Sequence, residues 1–189
     1  MPAGAWRRQI DAWSLDGRAV VLAPQPELRV LVGLLLASSP VPMLMGTCGD
    51  SVDADWLAGR IVDPDSKITD DMLDRIADGI ADAYFARPRW QAQVIWRRGL
   101  NSWMDIDGEL SGRGIDLMVL PPDRATNIVY RILMDWVRED KRAREQFVAE
   151  LSTPPAAVQV RNVKVVKDVE AAHADWNALA ALSAQAQGG

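Results

Sequence analysis

Few residues in this chain could carry chemistry. It has one histidine, His173, and one cysteine, Cys48. A zinc site needs several thiolates or imidazoles, and one of each supplies no such cluster. A nucleophile needs a base within reach and a third group to orient that base. His173 stands in an Ala-rich stretch and reads as a solvated helix residue, while Cys48, close to Gly46 and Gly49, reads as a buried or loop thiol. The segment Asp63-Pro-Asp-Ser-Lys-Ile-Thr-Asp has the look of a calcium loop. Such a loop needs Gly at position six and Glu at position twelve, and here those places hold Ile68 and Asp74. A turn into a capped helix is the better reading. Asp105, Asp107 and Glu109 could pair for acid–base work, but they alternate around a helix and read as a solvated face. Gly108, Gly112 and Gly114 follow a helix rather than a strand and are out of order for a dinucleotide fingerprint, so they read as turn and C-cap glycines. Arg87, Arg89, Arg97 and Arg98, interleaved with Trp90 and Trp96, could contact nucleic acid by charge and stacking. Against that, Trp96 falls on an apolar face and Arg97 and Arg98 point away from it. Ion pairs with the acidic helix Asp71–Asp82 are the preferred use of these arginines.

The elements that must position these residues centre on 87–130. Pro88 fixes its own φ and steers Arg87 out of the α region, opening a helix. At about 100° per residue, Ala92, Ile95, Trp96, Gly99, Leu100, Trp103, Ile106 and Leu110 share one broad face. Trp96, Trp103 and Leu110 recur every seven residues beside Ala92, Gly99 and Ile106. Large next to small suits close approach of a second helix. The three glycines end this helix. Pro121-Pro122 then starts another, with Ala125, Ile128, Val129, Ile132, Leu133, Trp136 and Val137 on its apolar face.

Upstream, Asp16-Gly17 between two apolar runs predicts a small β-hairpin. Pro26 opens a helix through Ser38 that is apolar nearly all round and therefore central. Asp50 or Ser51 can cap a short helix with Val52, Trp56, Leu57 and Ile61. Thr69 caps the next, in which Met72, Leu73, Ile76, Ala77, Ile80, Ala83 and Tyr84 form one face and Asp71, Asp74, Asp78 and Asp82 the other. The charged segment after Trp136 reads as a surface helix with Phe147, Val148 and Leu151 as its apolar contacts. Ser152-Thr-Pro-Pro155 is the predicted domain boundary. Beyond it lies a helix-prone tail with a narrow stripe of Val169, Ala172, Trp176, Leu179 and Ala180.

Composition bounds the function. The chain has 189 residues, 49% apolar and 25% charged, which suits one domain with a core plus an extension. Its eight tryptophans imply a bulky core or a buried partner surface. A net charge of −5 argues against nucleic acid as the main partner. One cysteine excludes an internal disulfide and suits a cytosolic chain. The most apolar run, Val30 to Ala37, is far short of the ~20 residues that span a bilayer.

The pattern Trp96, Trp103, Gly108, Leu110, Gly114, Ile115, Asp116, followed by Leu120, Pro121 and Arg124, resembles that of tail assembly chaperones of long-tailed, siphovirus-type phages of actinobacteria. Ala86-Arg-Pro-Arg-Trp90 and the run from Arg144 through Phe147 and Leu151 to Pro155 fit the same pattern. The resemblance covers roughly 28–155. It implies a non-enzymatic protein that coats the long helical tape measure protein during tail morphogenesis, acts in the host cytoplasm and leaves before the virion is complete. It also implies a frameshifted longer form of the chain as a second partner; if this chain is the short form, the extension would begin near Gln187-Gly-Gly189.

The sequence thus predicts a mainly α-helical single domain: an N-terminal arm or hairpin over 1–25, a helical core over 26–155 and a C-terminal helical extension over 156–189. No cofactor or metal is expected, and no membrane or nucleic-acid partner. The alternatives are a structural virion protein, either a minor tail or a head–tail connector component, and a small nucleic-acid-binding regulator. For the partner surface, Phe85, Trp90 and Val94 have no place on the buried stripes and gather around the Ala86–Arg89 hinge. The competing reading packs them on the hairpin or the Val30–Ala37 helix.

Overall fold

The computed structural model describes residues 11–24 and 26–161. Among the described residues, a hairpin of β1 (Ala12–Leu15) and β2 (Arg18–Val21) leads into eight helices, after which residues 156–161 are again helical. These are α1 (Leu28–Leu36), α2 (Val41–Gly46), α3 (Ser51–Val62), α4 (Asp70–Phe85), α5 (Arg89–Asn101), α6 (Trp103–Ser111), α7 (Pro122–Trp136) and α8 (Lys141–Ser152). A 3-10 turn, Leu117–Val119, precedes α7. The chain is therefore mainly helical, as expected. Its contacts divide it between Leu151 and Ser152, at the edge of the Ser-Thr-Pro-Pro segment. His173 and the stripe from Val169 to Ala180 lie outside the described residues.

The hairpin follows from its turn. Asp16 and Gly17 both have positive φ, 49° and 77°, so the two-residue loop twists with its strands, which pair Leu15 with Arg18. Charge ties the hairpin to α3. Arg18 donates to Asp53 at 2.6 Å and lies over the Trp56 ring, and Arg60 donates to Asp16 at 2.7 Å. Caps fix the helix starts where the sequence places them. The Asp50 carboxylate accepts from the Asp53 N–H at 2.8 Å, and the Thr69 hydroxyl accepts from the Met72 N–H at 3.3 Å.

The core joins α1, α2, α4, α5 and α7. The short α2 contributes Met43 and Leu44, both fully buried. Helix α4 packs against α2, α5 and α7. Three neighbours need a wide apolar arc, and the observed arc is Leu73, Ala77, Ile80, Ala81 and Phe85. It is rotated toward Phe85 relative to the expected face, so Met72, Ile76 and Tyr84 are half-buried at its edge.

Four other expectations are corrected. The predicted single helix from Trp90 to Leu110 is two, broken at Ser102, whose φ and ψ are −121° and 30°. Asn, Ser and Gly are all weak helix formers, so the stretch from Gly99 to Ser102 is where a continuous helix is weakest. The break changes the helical phase. Trp103 becomes half-buried, and Met104 stands 88% exposed. Leu100, expected on the buried face, is 45% exposed in the last turn of α5. Gly108 lies inside α6 and does not end it; Gly112 is the C-cap, and Gly114, at φ 68°, makes the left-handed turn that follows. Trp136 is the last residue of α7 and is 43% exposed, because the helix runs past the body that covers its earlier turns.

Candidate functional site

The hinge between α4 and α5 is tight. Ala86 adopts the left-handed conformation at φ 52° and its N–H donates to the Asp82 carbonyl, so α4 stops there and Pro88 begins the approach to α5. Arg89, in the first turn of α5, turns back onto α4. It donates to Asp74 at 2.8 Å, with Asp78 at 3.6 Å. The guanidinium is almost wholly buried, at 10% side-chain exposure. A cation at a helix N-terminus opposes the macrodipole, and the α4 carboxylates offset that.

Three of the four arginines are engaged within the protein. Arg87 donates to Asn127 at 2.9 Å and lies over the Tyr130 ring. Arg98 grips Glu150 with two nitrogens and covers the Phe147 ring, fastening α8 to α5. Arg89 is engaged with α4, and Arg97 alone among the four is exposed. The expected ion pairing with the acidic helix is present through Arg89.

The hinge residues separate. Phe85 is fully buried in the core and cannot present itself to a partner without opening the domain. Its expected exposure is thus corrected: it falls on the acidic side of α4 by helical phase, yet in the last turn of the helix it is enclosed in the core. Val94 is half-buried and packed against the same core. Trp90 is half-buried in the first turn of α5 and keeps some surface.

The other sequence candidates have structural uses. The Cys48 thiol donates to the Leu44 carbonyl at 3.2 Å. Burial, with Asp53 and Asp50 nearby, pushes its pKa up, the opposite of what an activated thiol needs. Asp63 accepts from Arg60 at 2.7 Å and from the Asp65 N–H at 3.0 Å, which makes the apparent calcium loop a turn. Glu109 pairs with Arg113 one helical turn on.

Sequence reasoning missed a surface feature created by the Ser102 break. Met104, Asp105, Gly108 and Glu109 of α6 and Trp136 of α7 line an open basin of about 500 Å³. A single unbroken helix would have hidden this feature; Asn101-Ser102 after Gly99 was the available signal. Comparison with protein families, curated proteins and solved structures found no match.

Proposed function

We propose that this protein is a non-enzymatic tail assembly chaperone that holds the helical tape measure protein of a long-tailed phage during tail morphogenesis. The observation that carries the reading is the motif resemblance across 28–155, centred on Trp96, Trp103, Gly108, Leu110, Gly114, Ile115, Asp116, Leu120, Pro121 and Arg124. These residues lie along one continuous stretch, from α5 through α6 and the 3-10 turn to the first turn of α7. Several are tied to its shape. Trp96 is buried, Gly114 supplies positive φ and Asp116 caps the 3-10 turn by accepting from the Met118 N–H at 2.8 Å. A second support is exposed apolar surface on α6, the 3-10 turn and the end of α7. Met104, Met118, Val119 and Trp136 are all more than two-fifths exposed, as a holder of apolar helices requires.

The test is co-expression with a segment of the cognate tape measure protein, followed by pull-down. A soluble, captured segment supports the reading. A segment that stays insoluble and uncaptured refutes it. Purified particles supply the second arm: the chaperone is absent from them, and its presence at stoichiometric level would make it a structural virion protein.

A further inference from the structure

We infer that the basin between α6 and the end of α7 is a docking site for a basic amphipathic helix of a partner protein. Identifying that partner as the tape measure protein rests on the function proposed above; the chemistry of the basin does not.

Two stripes run side by side along α6. Met104 and Gly108 stand one turn apart, and so do Asp105 and Glu109. Residues four apart on a helix are neighbours on its surface. The first stripe joins Trp136 to give the apolar floor. Met104 is 88% exposed and Trp136 43% exposed, and a side chain built on Gly108 would meet nothing within 4 Å. The floor is therefore open to an incoming apolar side chain, and the thioether of Met104 adapts to its shape. The second stripe sets the charge. Both ionisable residues lining the basin are carboxylates. Glu109 is already paired at 2.7 Å with Arg113, just past the end of α6, so Asp105 carries the charge an occupant meets. Helix α6 itself holds Asp105, Asp107 and Glu109 with no lysine or arginine. An occupant with apolar residues at i and i+4, flanked by lysine or arginine, meets both stripes at once. An acidic helix would be repelled. The other apolar recess, on α8 beside Val148, is lined by Arg138, Lys141 and Arg144 as well as Glu139 and Glu145, and selects no charge.

The probe is a labelled helical peptide of about 18 residues, or five turns, built from leucine and lysine at amphipathic spacing. Its anisotropy is measured with the full chain. The controls are a scrambled isomer and a leucine–glutamate version. The amphipathic basic peptide should bind, weaken with salt and outcompete both controls. Asp105→Lys with Glu109→Lys should weaken it about tenfold, as should Met104→Ser, which carries no charge change. Asp55→Lys with Asp82→Lys changes the net charge equally on exposed sites elsewhere and should leave affinity within about twofold. Thermal melts check that each variant folds. Equal weakening by both charge-reversed pairs, equal binding of the scrambled peptide or indifference to Met104→Ser would each overturn the proposal. So would a self-dimer that the same α6 substitutions disperse, since a second copy would then be the occupant. Peptide binding without capture of the tape measure segment refutes the chaperone reading and leaves the basin standing. Capture that survives Asp105→Lys/Glu109→Lys unchanged does the reverse.

Discussion

The indole of Trp96 donates to the hydroxyl of Thr126 at 2.8 Å, and that hydroxyl donates on to the Pro122 carbonyl at 2.6 Å. The first of these bonds is covered: Trp96 is 1% exposed and Thr126 fully buried. The relay occupies a carbonyl in the first turn of α7 and fixes α5 against that turn. A buried tryptophan needs a partner for its N–H, and Thr126 supplies one.

Trp96→Ala should therefore cost about 3–5 kcal/mol, from a large cavity. Trp96→Phe keeps much of the bulk but leaves Thr126 with one bond fewer, and should cost about 1–2 kcal/mol. Trp103→Ala should cost clearly less than Trp96→Ala, because Trp103 is only half-buried. Denaturant titration of the three variants gives the order. Equal losses at Trp96 and Trp103 would mean that the break at Ser102 is absent in solution.

Close approach of α5 and α7 predicts a contrast between two glycines. A Cβ on Gly99 would lie 2.7 Å from a Val129 methyl, and valine has little rotamer freedom to move away. Gly99→Ala should destabilise by about 1–3 kcal/mol, with partial rescue by Val129→Ala. Gly108 is also helical but faces open space. There Ala should stabilise by about 0.5–1 kcal/mol. Thermal melts decide; stabilisation at both positions would show that the helices stand further apart.

What the sequence made legible divides along physical lines. Features set by neighbours in the chain were readable: the Asp16-Gly17 hairpin, the caps at Asp50 and Thr69, and Pro121-Pro122 at the start of α7. Features set by distant neighbours were not. The face of α4 depends on three packing partners, which no periodicity reveals. Phe85 looked unpartnered because helical phase alone could not show that the core closes over the last turn of α4. Trp136 shares the apolar face of α7, yet burial stops before the helix does. The Met104–Trp136 basin needed that fact together with the break at Ser102. Ion pairing between the arginines and α4 was legible because helical spacing puts a run of aspartates on a single side, but that Arg89 makes it, from a buried position, was not.

That pairing predicts an asymmetry. Arg89 is nearly buried, whereas Asp74 and Asp78 are each about one-third exposed, with 32% and 36% of their side chains open. Removing the cation leaves carboxylates that water can reach. Removing the carboxylates leaves a covered guanidinium without them, at a helix end that already repels it. Arg89→Met should cost about 1–2 kcal/mol and Asp74→Ala with Asp78→Ala about 3 kcal/mol. Urea unfolding of both variants measures the difference. The reverse order would mean that Arg89 serves mainly as packing.

Tyr84 gives a pH dependence whose sign can be worked out. Its hydroxyl donates to the Ala23 carbonyl at 2.6 Å, tying α4 to the segment after the hairpin, and burial pushes its pKa up to about 12. An unfolded tyrosine ionises near pH 10. Between these values the unfolded chain has released its phenolic proton and the folded chain has kept it. The unfolded state then binds fewer protons, so stability falls as pH rises. The contribution is fully present below about pH 10 and is lost as pH climbs through about 12. Tyr84→Phe removes both the hydrogen bond and the ionisation. It should cost about 1 kcal/mol at neutral pH, and that deficit should shrink as pH rises through the window. Parallel urea titrations of wild type and variant from pH 7 upward give the difference directly. A deficit that stayed constant through the window would mean that the Tyr84 hydroxyl is free to ionise in the folded protein and that its tie to Ala23 is not kept in solution.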